Sequence, residues 1–185
     1  FERVDFPSPL YGKVNPGSLL QGSQFTHCCV VTRGVPADAF DFYDQVLGMV
    51  KSGDFELPYG EIGSSGKDIF QLADGEGFHM HRFDDPRGGE GLGKRSGRVI
   101  FFNFRDSVEM PDLRHASRPG ALGLCLYSWR VKNIEQVREV VLRAGATQVS
   151  DVLRNEFGER AVTLTAPDGT PWMLIDAADT TPVVA

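Results

Sequence analysis

The chain states one pattern twice, and that repetition limits what it can fold into more than any other feature. A strand-like run at 25–31 (Phe-Thr-His-Cys-Cys-Val-Val) leads into a helix-like stretch that closes on Leu47-Gly48-Met49. Further strand-like pieces follow, then Asp74-Gly75 and the alternating Phe78-His79-Met80-His81-Arg82-Phe83. From 124 to 176 the order recurs: a strand at 124–127, a helix closing on Ala144-Gly145-Ala146, two more strands, Asp168-Gly169, and Trp172-Met173-Leu174-Ile175. A duplicated βαβββ unit builds one shared cleft, so the repeat locates a site before any single residue is interpreted. The expected class is α+β: two tandem βαβββ modules forming a curved mixed sheet around that cleft.

Local signals divide the chain further. Residues 1–24 hold six Pro or Gly breakers and read as an irregular N-terminal arm, anchored by Phe1, Phe6, Leu10 and Tyr11. The first module spans 25–84. Its helix opens at Pro36 and Asp38, carries Phe40, Tyr43, Val46 and Leu47 at helical spacing, and ends on Gly48 as the left-handed residue. Strands are expected at 50–56 and 68–72. Residues 85–120 read as a Gly-rich linker with an extra buried strand at 99–104. The second module spans 121–177; its helix has Asn133 as N-cap and an apolar stripe of Ile134, Val137, Val140, Val141 and Ala144. Strands follow at 148–153 and 160–165, and Asp168-Gly169 turns tightly into the last strand. Residues 178–185 form a C-terminal tail.

A chain of 185 residues can bury a full core without covalent staples. Its net charge of −6 argues against a nucleic-acid or membrane-surface partner, because both are polyanions. No stretch reaches the ~18–20 apolar residues that span a bilayer, and no signal peptide is read at the start. Cys28, Cys29 and Cys125 are odd in number and lack paired C-x-x-C spacing, so they read as reduced thiols of a cytoplasmic protein. Arg82, Arg87, Lys94, Arg95 and Arg98 give the linker a basic character that suits either a solvated loop or the capture of a carboxylate or phosphate.

Phe42-Tyr43 with Val46-Leu47-Gly48, downstream of His27, resembles the vicinal oxygen chelate superfamily: glyoxalases, bleomycin-resistance proteins and extradiol dioxygenases. So does Ala166-Pro167-Asp168-Gly169-Thr170-Pro171-Trp172, which is similar to that family's Asp-Pro-Asp-Gly-Asn turn. The resemblance covers roughly 25–84 and 121–177. It implies four ligand slots, on the first and last strand of each module, and these fall on His27, His79, Leu126 and Met173. Only the first two can bind metal, so the ligand set for iron, manganese or zinc is incomplete. A one-residue slip of register would turn Cys125 inward in place of Leu126. His81 shares a strand face with His79 and serves as a spare ligand or general base, and Glu61 or Glu156 would complete a two-His-one-carboxylate set.

The resemblance therefore implies a protein acting on a small oxygenated or aromatic molecule, with metal-dependent lyase, isomerase or ring-cleaving dioxygenase chemistry. Leu126, Met173 and Trp172 would line the substrate cleft. The alternatives are a metal-free binding protein of the drug-sequestering kind, and a metal-free enzyme using His27 or His79 as acid–base catalyst. Both modules lie in one chain, so a monomer suffices, while the family's habit and the base rate of symmetric oligomers point to a homodimer.

Overall fold

The computed structural model describes residues 17, 19, 27–86, 97–113, 115–116 and 125–177. Most of the expected N-terminal arm, the glycine-rich stretch 87–96 and the tail from 178 lie outside the described residues. Two compact units are formed. One takes the chain up to Gly34 with Gly48–Val108, and the other takes Val35–Leu47 with the chain from Glu109 onward.

The first unit holds β1 (His27–Arg33), β2 (Val50–Leu57), α1 (Ser64–Phe70), β3 (Phe78–Asp84) and β4 (Arg98–Phe104). The second holds β5 (Tyr127–Val131), α2 (Ile134–Arg143), β6 (Leu153–Arg154), β7 (Arg160–Thr165) and β8 (Pro171–Asp176). Each unit has one four-stranded sheet, and the strand orders, β1-β4-β3-β2 and β5-β8-β7-β6, are the same. In both, the first strand runs parallel to the last and the remaining pairs are antiparallel. The class is α+β, with the tandem modules that the repeat implies.

Several elements differ from the sequence reading, and β5 begins at Tyr127 rather than at 124. Residues 99–104 are no accessory strand: β4 is the central partner of both β1 and β3. The expected strand at 68–72 is replaced by α1, which ends at Gln71 in the left-handed region (φ 51°). The run 68–72 is only five residues long, too short to separate strand from helix. Tertiary packing decides: Phe70 meets the rings of Phe78, Phe102 and Phe104 at centroid distances of 5.5, 4.9 and 5.5 Å. Ahead of β6, Thr147 exchanges a pair of backbone bonds with Thr165 and the Ser150 N–H donates to the Thr163 carbonyl, but no continuous ladder forms over 148–152, so β6 keeps two residues.

In the second unit, Asn133 caps α2 by accepting from the Gln136 N–H, as its side chain suggests. Ile134 and Val141 of that helix are fully buried. Residues 35–47 fold as a 3₁₀ turn (Ala37–Phe40) and a wider π turn (Phe42–Val46), with Gly48 at φ 71° beyond them. The segment is pinned by a buried polar network. The Tyr43 hydroxyl donates to Asp168 Oδ1 at 2.7 Å and accepts from Trp172 Nε1 at 3.3 Å, while Thr170 Oγ1 donates to the other Asp168 oxygen. Trp129 Nε1 adds a bond to the Leu47 carbonyl at 3.1 Å. No helix among the described residues is long and apolar enough to cross a membrane.

Candidate functional site

Successive residues of a strand point to opposite faces, so His79 and His81 share one face of β3 and Phe78, Met80 and Arg82 share the other. Register then supplies their neighbours. Glu56 pairs with His79 and Asp54 with His81 across the antiparallel β2–β3 ladder, while Asn103 and Phe101 flank the same histidines from β4. Thr32 of β1 lies beside Asn103 and donates to its Oδ1 at 3.0 Å. One face of the first sheet thus carries a polar row, Glu56, His79, Asn103 and Thr32, beside a second row in which His81 and Phe101 are buried.

A bulge in β2 completes the cluster. Lys51 pairs with Phe83 but Gly53 pairs with Arg82, so Ser52 is the extra residue. In a regular strand Lys51 and Asp54 would face opposite ways; the inserted residue puts them on one side. Lys51 Nζ accordingly lies 3.3 Å from Asp54 Oδ2 and 6.0 Å from the Phe83 ring centroid. Arg82 staples the bulge from the other face, donating to the Ser52 carbonyl at 2.6 Å and to Ser52 Oγ at 3.2 Å. Glycine at 53 suits this crowding, since a Cβ there would meet Arg82 Nε at 3.1 Å and the Phe55 ring at 3.0 Å.

The imidazoles of His79 and His81 stack with centroids 4.4 Å apart and planes 22° apart. His79 Nε2 lies 2.5 Å from Asp54 Oδ1, and its Nδ1 lies 3.3 Å from Glu56 Oε2. His81 Nδ1, on a residue only 1% exposed, lies 3.3 Å from Asp54 Oδ1. Partial burial pushes the Asp54 carboxyl up, but the His79 bond and Lys51 outweigh it and hold the group below the usual carboxylate range. Glu56 is also held down, chiefly by a bond from Arg105 Nη2 to its Oε1 at 2.8 Å. Both carboxylates are therefore anionic at neutral pH.

Among the described residues, Asp54, His79 and His81 form the group whose ligating atoms lie close enough to hold a cation, all within 4.8 Å of one another. The donor set fits such an ion. Two imidazoles and one carboxylate suit a first-row divalent ion and leave coordination positions open. Ligands about 2.1 Å from a tetrahedral ion stand roughly 3.4 Å apart, which the His81–Asp54 contact already matches and the His79–Asp54 contact reaches by opening about 1 Å. Glu56 on the second nitrogen of His79 fixes that ring in the manner of a supporting carboxylate.

The expected residues are distributed differently. His79 and His81 meet, and the carboxylate beside them is Asp54, which the sequence reading missed in favour of Glu61 or Glu156. His27 does not join them. It pairs with Arg98 and His79 with Asn103, positions five apart on β4, so the two histidines face opposite sides of the sheet about 19 Å apart. The slot assigned to His79 rested on β3 being the last strand of the first module, but β4 holds that place. Cys125 and Leu126 are half-buried residues just ahead of β5 in the second unit, and the residue across from Met173 is Ser128. Met173 is half-buried, while its neighbour Trp172 points the other way, is 3% exposed and bonds to Tyr43, so it belongs to the core rather than to a cleft wall. The basic segment also dissolves as a unit: Arg82 serves the bulge and Arg98 makes a two-point bond to Asp84 at 2.5 and 2.9 Å. Arg87, Lys94 and Arg95 lie outside the described residues.

A hollow of about 410 Å³ lies elsewhere, in the second unit, beside Asp38, Asp41, Phe42, Gln45 and Pro167. It offers carboxylates but no imidazole or thiol, and so lacks the donor set of the β2–β3 cluster.

No protein-family model matches the chain, and no curated protein matches it. Solved structures do. A glyoxalase family protein from Bacillus cereus superposes with TM-score 0.65 at 17% identity, over 87% of this chain and 96% of that one. A glyoxylase/bleomycin resistance protein/dioxygenase domain from Frankia gives 0.52 at 14% identity, over 83% and 96%. The trypanothione-dependent glyoxalase I of Leishmania major gives 0.51 at 13% identity, over 85% and 88%. Identities this low speak to architecture alone, and they agree with the repeated sheet topology: the chain has the vicinal oxygen chelate fold.

Proposed function

We propose that the protein acts on a small oxygenated or aromatic molecule at the Asp54–His79–His81 cluster, with a divalent metal as cofactor. The observation that carries this reading is the convergence of two stacked imidazoles and one ionised carboxylate on a single face of β2 and β3. A divalent ion bound there supplies Lewis acidity toward vicinal oxygens, the chemistry shared by lyase, isomerase and ring-cleaving reactions. The chain's own groups do the rest. Glu56 orients the His79 ring, Lys51 offsets the charge of Asp54, and burial of His81 fixes one ligand rigidly.

Titration of the purified protein with cobalt(II), read by its visible ligand-field bands, tests the proposal. One equivalent should bind, and Asp54→Asn and His79→Ala should each weaken binding by about 10–100-fold or more. Binding that survives both substitutions would overturn the assignment.

A second reading rests on His79 having a carboxylate near each ring nitrogen, at 2.5 and 3.3 Å. An imidazole oriented in this way suits metal-free acid–base catalysis. In that case cobalt does not bind, and activity persists after treatment with a chelator.

A further inference from the structure

We propose that the ligand of this site is an anion, a small molecule that carries a carboxylate beside its metal-directed oxygens, and that Arg105 receives that carboxylate. The proposal rests on the metal reading above and names the substrate class for it.

Position comes first. Arg105 follows β4 directly and continues the alternation of Phe101 and Asn103, which puts it beyond the polar row on the face of the two histidines. Glu56 joins the parts: its Oε1 accepts from Arg105 Nη2 at 2.8 Å and its Oε2 lies 3.3 Å from His79 Nδ1. One carboxyl group therefore separates the guanidinium from a ligand imidazole. That span suits a single small molecule with oxygens at one end and an acid at the other.

Charge comes second. The two carboxylates of the cluster, Asp54 and Glu56, are each in contact with a cation, Lys51 and Arg105 respectively. The fixed charges balance before any ion arrives. A bound divalent ion leaves the site doubly positive, and an anionic ligand relieves that excess where a neutral one does not.

The third point is donor capacity. The Arg105 side chain is 68% exposed, and among the described residues its bond is to Glu56 through Nη2. A guanidinium has five N–H donors in a planar fork, so a second oxyanion can be taken without giving up Glu56. An exposed pair of this kind adds little stability, so removing it leaves the fold to report on binding alone.

Catechol and 3,4-dihydroxybenzoate present the same vicinal oxygens and differ by one carboxylate, carried on the far side of the ring. Their dissociation constants for the cobalt-loaded protein, measured by calorimetry, test the proposal. The acid should bind about 10-fold more tightly, and Arg105→Met should cut the ratio of the two constants several-fold toward 1, with Arg105→Lys between. Using the ratio cancels any effect of the substitution on the metal itself. Equal affinities in the unaltered protein, failure of both compounds to bind, or a ratio that survives Arg105→Met would overturn the proposal. A protein that takes up no cobalt sinks the metal reading instead; the ratio is then measured on the metal-free protein, where it must still depend on Arg105.

Discussion

Replacing Tyr43 by Phe removes one oxygen atom from the interior of the second unit and tests how residues 35–47 are held. The hydroxyl donates to Asp168 at 2.7 Å and accepts from Trp172 at 3.3 Å, and all three residues are buried. Loss of a hydrogen bond to an acid group costs about 1.5–3 kcal/mol, and a stranded indole N–H adds about 1 kcal/mol or more. The Phe ring keeps the tilted contact with Trp172, at 5.7 Å between centroids, so no cavity term enters. The expected loss is about 3 kcal/mol, or roughly 6–12 °C in Tm for a chain of this length. Urea unfolding followed by tryptophan fluorescence measures it, since Trp172 sits in the network. A loss below about 0.5 kcal/mol would show that the network is dispensable and refute the reasoning.

Asp168 makes a pH prediction from the same network. Burial raises its carboxyl pKa, with the Thr170 and Tyr43 bonds opposing. A raised folded-state pKa favours the protonated group, so its stabilisation is complete below the unfolded value of 3.8 and is lost as pH rises through the folded one. Asp168→Asn should flatten that decline in a pH series of urea melts; a steeper decline would contradict it. Phe70→Ala should cost about 2–3 kcal/mol, below the usual range for a buried Phe because the residue is only half-buried, and hydrogen exchange should show α1 released first. Unchanged protection of α1 would count against the aromatic cluster as its anchor.

The tandem architecture was legible because its signals are local and repeated: Gly48 and Gly145 after the helical segments, Asn133 at a cap, and Asp168-Gly169 in a turn. The shared face of His79 and His81 was legible from alternation alone. Their carboxylate was not. Whether Asp54 meets the histidines depends on the β2–β3 register and on the bulge at Ser52, and neither is written in the order of residues. The joint role for His27 failed for a topological reason: the glycine-rich stretch reads as the end of a module, whereas β4 beyond it returns to the middle of the sheet. Trp172 could have been placed correctly, since adjacent strand residues cannot both line the face that holds Met173.

The central claim is that Asp54, His79 and His81 share one metal ion. Anomalous diffraction from crystals soaked in zinc or manganese tests it most directly. The account predicts a peak about 2.0–2.2 Å from a carboxylate oxygen of Asp54 and from a ring nitrogen of each histidine. A peak at His27 or elsewhere, or an empty cluster at full soak concentration, would contradict it.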